Sequence, residues 1–111
     1  MLFVDVLSAR ETFETLQESV AEEIAAVLRS ARSGIVLRRI VTEPEPSEIE
    51  IWVELSSDEQ FARHGRAIAE RVAERIRNEQ LIDVWVMFRI VPLSQAFLNG
   101  HPRARGHVTL D

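Results

Sequence analysis

A chain of 111 residues is too short for two independent cores but long enough to bury one sizeable core, so one domain over 1–111 is expected. Thirteen Lys plus Arg against eighteen Asp plus Glu give a net charge of -5, which argues against a nucleic-acid partner, since phosphates repel such a surface unless cations cluster. The absence of cysteine excludes a disulfide framework, a thiolate metal site and a thiol nucleophile, and fits a cytoplasmic protein.

Met1 to Val6 carries Asp5 and no basic segment ahead of an apolar run, so it does not read as a signal peptide, and no stretch is long and apolar enough to span a membrane. Met1 to Leu7 is short, apolar and β-branched, which predicts a strand. From there the period changes to 3.6. Phe13, Leu16, Val20, Ile24 and Val27/Leu28 form one apolar stripe among glutamates and arginines, a helix that needs a sheet beneath it. Ser33-Gly34 stops that helix, and Ile35 to Val41 supplies a second strand around Arg38 and Arg39.

Glu43-Pro44-Glu45-Pro46-Ser47 then interrupts regular structure, because proline fixes φ and removes a backbone donor. The chain divides there into a first unit over 1–42, a connector over 43–47, a second unit over 48–92 and a tail over 93–111. In the second unit Ile49, Ile51, Val53 and Leu55 alternate with polar or aromatic residues as a third strand. Ser57-Asp58-Glu59-Gln60 opens a helix with early negative charge, and Phe61, Ile68, Val72 and Ile76 carry its stripe. Ile82 to Val91 completes a fourth strand ending at Pro92. The order is β-α-β-β-α-β.

At offsets of 48 to 50 the halves match residue by residue, as in Val4 with Val53, Phe13 with Phe61, Ala21 with Ala69 and Ala25 with Ala73. Glu22/Glu70, Arg29/Arg77 and Arg39-Ile40-Val41/Arg89-Ile90-Val91 also match, and these include exposed-type residues that a shared period does not dictate. The chain therefore reads as a duplicated βαβ unit: an α+β fold with a four-stranded mixed sheet and both helices on one face. Alternation directs Val4, Val6, Val36, Ile40, Val53, Leu55, Val86, Phe88 and Ile90 to the helices. It sends Phe3, Asp5, Leu7, Ile35, Leu37, Arg39, Trp52, Glu54, Trp85, Met87, Arg89 and Val91 to the other face. That second face is mostly apolar and calls for a cover, most economically by self-association. The repeat-equivalent charges Asp5/Glu54 and Arg39/Arg89 read as ion pairs within or between subunits, or as an anion site.

The second half, from Ile49 through Ser57-Asp58-Glu59-Gln60 and Arg63 to Asp83-Val84-Trp85-Val86, resembles a 4-oxalocrotonate tautomerase-type subunit. The opening Met1-Leu2-Phe3-Val4 is similar to that of the macrophage migration inhibitory factor and 5-carboxymethyl-2-hydroxymuconate isomerase group. The tail Ala96-Phe97-Leu98-Asn99-Gly100-His101 is similar to the segment after the last long strand in the duplicated members. This resemblance to the tautomerase superfamily covers about Met1 to His101 and implies a homotrimer with sheets turned inward. It also implies an isomerase acting on a small carboxylate-bearing substrate; no cofactor is expected, and no metal, since no carboxylates stand at fixed ligand spacing.

The family's base is an N-terminal proline, and here Met1-Leu2 stands instead, which points to weak, altered or lost activity. The bulky Leu2 argues that Met1 is retained, and an α-amine titrates near enough to neutrality to move protons, so Met1 is the catalytic candidate. Pro46 is an internal amide and cannot substitute. The resemblance assigns substrate binding to Arg38 or Arg39, and capping of a neighbouring subunit's pocket to Phe97 and Asn99. Arg38 interrupts a helix-facing apolar row in this reading, which suggests an edge position or a pocket lining. His64, near the second stripe, receives no role, and His101, Arg103, Arg105 and His107 form a basic tail that is solvated or bridges subunits. Two other readings share the element order: a noncatalytic oligomeric small-molecule-binding domain and a ferredoxin-like regulatory module. Sheet order separates the latter, since the tautomerase arrangement keeps the two strands of each unit adjacent and parallel.

Overall fold

The structure, a computed structural model, describes residues 1–102. Strand β1 (Leu2–Leu7) leads into helix α1 (Arg10–Leu28), and a 3₁₀ turn over Arg32–Gly34 precedes β2 (Ile35–Ile40). The second unit repeats this with β3 (Ile49–Leu55), α2 (Asp58–Glu79) and β4 (Val84–Ile90). A short 3₁₀ turn over Leu93–Gln95 and a small hairpin, β5 (Phe97–Leu98) with β6 (His101–Pro102), follow. The basic-tail residues Arg103, Arg105 and His107 lie outside the described residues.

Strand order is β2-β1-β3-β4, with β1 parallel to β2, β3 parallel to β4, and β1 antiparallel to β3. Each unit keeps its own strands side by side, so the interleaved ferredoxin-like arrangement is excluded. Both helices pack on one face, over a core of Val4, Ile24, Ile51, Val53, Ile68, Val72 and Ile76, all without solvent contact. Each such side chain contributes about 1.5–3 kcal/mol of burial. Local chemistry fixes the helix ends. Ser57 Oγ accepts the Gln60 amide at 3.1 Å, while the Gln60 side chain accepts the Ser56 amide at 2.9 Å, a reciprocal cap at the start of α2. At the end of α1, Arg29 adopts φ 53° and the Ser30 amide reaches the Ala25 carbonyl at 3.0 Å.

The helices are joined by an ion-pair network. Glu23 of α1 accepts from Arg71 Nε at 3.0 Å and Arg75 Nη1 at 2.8 Å of α2, and Ser19 Oγ donates to Glu79 at 3.2 Å. Burial pushes the Glu23 carboxyl up, but the hydrogen bonds from Arg75 and Arg71 outweigh it and hold it below the usual carboxylate range.

One expectation is corrected by the register. In β2, Ile35 and Leu37 face the helices, with Leu2 opposite Ile35 and Val4 opposite Leu37, while Val36, Arg38 and Ile40 lie on the other face. Alternation read from the sequence alone gives the opposite phase. The units are offset by 49 residues at their first strands, where Asp5 corresponds to Glu54, and by 51 at their second. There Arg38 opposes Asp5 as Arg89 opposes Glu54. Arg38, not Arg39, is therefore the counterpart of Arg89. The difference accumulates where α2, with 22 residues, is longer than α1, with 19. Arg38 does sit on an edge strand, but it faces away from the helices.

Candidate functional site on the open sheet face

The face away from the helices is a grid of three rows across four strands. Ile40, Leu7, Glu50 and Trp85 form one end; Arg38, Asp5, Trp52 and Met87 the middle; Val36, Phe3, Glu54 and Arg89 the other end. Asp5 is the pivot. It is only 7% exposed, and its carboxylate accepts Arg38 Nε at 2.6 Å on Oδ1 and Arg89 Nη1 at 3.3 Å on Oδ2. Each guanidinium also lies over a ring, Arg38 over Phe3 and Arg89 over Trp52, both at 5.2 Å from the ring centre. Phe3 and Trp52 are repeat-equivalent, as are the two arginines, so the duplication reproduces the contact about a local two-fold axis between β1 and β3. The Arg38 and Arg89 side chains remain 39% and 46% exposed, each with donor groups beyond those used on Asp5.

Met1 precedes β1 on this same face, 54% exposed, at the end bearing Phe3. Arg38 lies opposite Asp5, four residues further along the strand direction, so Met1 and Arg38 share a face but not a row. Arg39 is on the helix side: its Nε donates to the Ser8 carbonyl at 3.3 Å and its Nη2 to Glu45 at 3.0 Å, leaving 15% of the side chain exposed. A narrow apolar crevice between α1 and the sheet, lined by Val6, Ser8, Thr12, Phe13 and Leu37 among others, contains none of the candidate residues. Phe97 and Asn99 belong to the exposed hairpin. Asn99 (φ 54°) and Gly100 (φ 82°) are the two central residues of a turn that needs positive φ at both, so Asn99 has a backbone reason for its place. Among the described residues, no group of three or more His, Asp or Glu is placed to hold a metal.

No family model matches the chain, and no curated protein matches it in sequence. Solved structures do. A Vibrio cholerae protein of unknown function is 17% identical over 92% of this chain and 87% of its own, with a TM-score of 0.69. A macrophage migration inhibitory factor-like protein from Entamoeba histolytica is 7% identical over 90% of this chain and 95% of its own (TM-score 0.63). A fused 4-OT wild-type symmetric trimer is 13% identical over 89% and 92% (TM-score 0.59). The fold is that of the tautomerase superfamily. At these identities the likeness establishes the fold alone.

Within the tautomerase fold, the duplicated pattern pointed to charges among apolar residues on the second face, and Asp5, Glu54 and Arg89 are there. What it missed is that Asp5 serves both units at once, and that Phe3 and Trp52 are the rings beneath the arginines. The equivalence of Asp5 with Glu54 was the available signal. The wrong phase of β2 hid its partner.

Proposed function

We propose that the chain self-associates through its open sheet face as a homotrimer, and that it carries weak or altered proton-transfer activity on a small carboxylate-bearing enol. The carrying observation is the face itself: Phe3, Leu7, Val36, Ile40, Trp52, Trp85 and Met87 lie on one side of a sheet whose helices are all on the other. An apolar surface of that kind calls for a partner surface. The similarity to a fused 4-OT trimer supports a threefold assembly. In this reading the Met1 amine is the general base. Arg38, exposed on the same face, holds the substrate carboxylate, Arg39 being tied to Ser8 and Glu45, and Phe97 and Asn99 cap the neighbouring copy's pocket.

A noncatalytic small-molecule-binding assembly is the second reading, favoured by one observation: Asp5 already engages both arginines of the face. Turnover of phenylpyruvate or 2-hydroxymuconate separates the two. The thirteen basic residues are all arginine, so in a protein starting at Met1 the α-amine is the one aliphatic amine, and acylation marks it alone. Loss of turnover on acylation, or on a one-residue N-terminal extension, supports Met1 as base; unchanged turnover removes it. A cytoplasmic location goes with this reading; no helix among the described residues is long and apolar enough to cross a membrane.

A further inference from the structure

The open face has its cations at the flanks and its anions in the centre. Arg38 and Arg89 stand on the edge strands β2 and β4, whereas Asp5, Glu50 and Glu54 stand on the central strands β1 and β3. Glu50 is the exception to local pairing. It is half-buried between Leu7 and Trp85 in the grid, and its carboxylate makes no hydrogen bond or ion pair among the described residues. The indole N–H beside it donates to Glu48 instead. A charge that is partly desolvated on an apolar surface costs free energy until it is paired.

Arg38 is the complementary group. It uses Nε on Asp5 and leaves its two terminal nitrogens without a hydrogen bond among the described residues. Within the chain the two groups do not pair: they lie two strands and one row apart, with Asp5 and Leu7 between, and the Arg38 side chain is turned to Asp5. Arg89 is less suited, because it has a second carboxylate beside it: it donates to Asp5 and lies opposite Glu54 in the β3–β4 register.

We infer that one terminal nitrogen of Arg38 in one copy pairs with Glu50 of the next, the other being left for the substrate carboxylate, a head-to-tail contact that sets which part of each sheet face meets its neighbour. It rests on the self-association proposed above. Such a contact is heterologous, since residue 38 meets residue 50 and never its own equivalent, and it closes into a ring only if the rotation between copies permits. The second copy thereby supplies the cation that the Glu50 carboxylate lacks, and the apolar residues around the pair exclude water from it.

The test uses the fact that the chain has no cysteine. Arg38→Cys and Glu50→Cys chains are prepared separately, mixed, allowed to exchange, and treated with a short thiol-to-thiol cross-linker. A covalent dimer from the mixture, and none from either variant alone, is the expected result. Because Arg38→Cys also removes a partner of Asp5, Glu50→Arg serves as an independent variant in which the Asp5 cluster is intact. It should raise the dissociation constant of the assembly about tenfold or more in analytical ultracentrifugation, with Glu50→Gln falling between. An oligomer that forms normally in Glu50→Arg, with no cross-link in the mixture, overturns the pairing and leaves self-association standing. A monomeric wild-type chain overturns both.

Discussion

Arg89 reaches from the edge strand β4 over the Trp52 ring of β3 to donate to Asp5 of β1, so a single buried carboxylate ties together strands from both repeats. Removing it leaves two guanidiniums on an apolar face. Asp5→Ala is expected to lower stability by about 2–3 kcal/mol, below the 3–5 kcal/mol of a fully buried pair because both arginines are partly screened by solvent. Urea unfolding should show a lower midpoint at unchanged slope. A midpoint within error of the wild type would mean that the cluster is electrostatically idle.

Gly65 lies on the buried side of α2, where an added Cβ would come within 2.7 Å of the Phe61 ring. That ring packs edge-on against Phe88 with centroids 5.1 Å apart. Gly65→Ala gains about 1 kcal/mol of helix propensity but displaces an aromatic contact worth about 0.5–1.5 kcal/mol, so the single variant should be nearly neutral. In a Phe61→Ala background the same change should stabilise by about 1 kcal/mol. A double-mutant cycle with no coupling would refute the steric account.

His64 has a buried Nε2 with no hydrogen-bond partner among the described residues, and burial, aided by Arg63, lowers its pKa. The unfolded chain then binds a proton that the folded chain resists, so this contribution is intact above the ordinary histidine range and is lost as pH falls through it. Glu23, also held low, adds a loss at more acidic pH as its carboxyl protonates. Unfolding free energy measured from pH 7.5 to 5 should decline in the wild type and decline less in His64→Leu. Parallel profiles would remove His64 as the cause.

The hairpin turn allows the role of Asn99 to be divided between backbone and side chain. Asn99→Gly keeps a residue suited to positive φ and removes the amide, whereas Asn99→Val opposes the turn itself. If the side chain caps a neighbouring pocket, turnover or ligand binding falls in both variants. If it serves only the turn, Asn99→Gly behaves as the wild type and only Asn99→Val loses amide protection at Leu98 and His101.

Much of this architecture is legible in the residues. The change of period after Leu7, the Pro44 and Pro46 connector and the alternation from Ile49 to Leu55 give the element order, and the match of Asp5 with Glu54 gives the duplication. The phase of β2 is not legible, because Arg38 and Arg39 are adjacent and the apolar residues around them fit either face. Which arginine joins the Asp5 cluster was decided by the parallel register with β1, a long-range property that no local pattern carries. Capture of both arginines by one aspartate is equally invisible in sequence, since it joins residues 84 positions apart.

Met1 and Glu50 occupy equivalent places in the two repeats, and the antiparallel join of β1 to β3 puts them at opposite ends of the open face. A ring built from identical single units would have interchangeable mouths. In a ring of these chains one mouth would carry the Met1 amines and the other the Glu50 carboxylates, each carboxylate offset by the guanidinium paired with it. Such an assembly would have a direction, and an anionic molecule would enter it from one side in preference to the other.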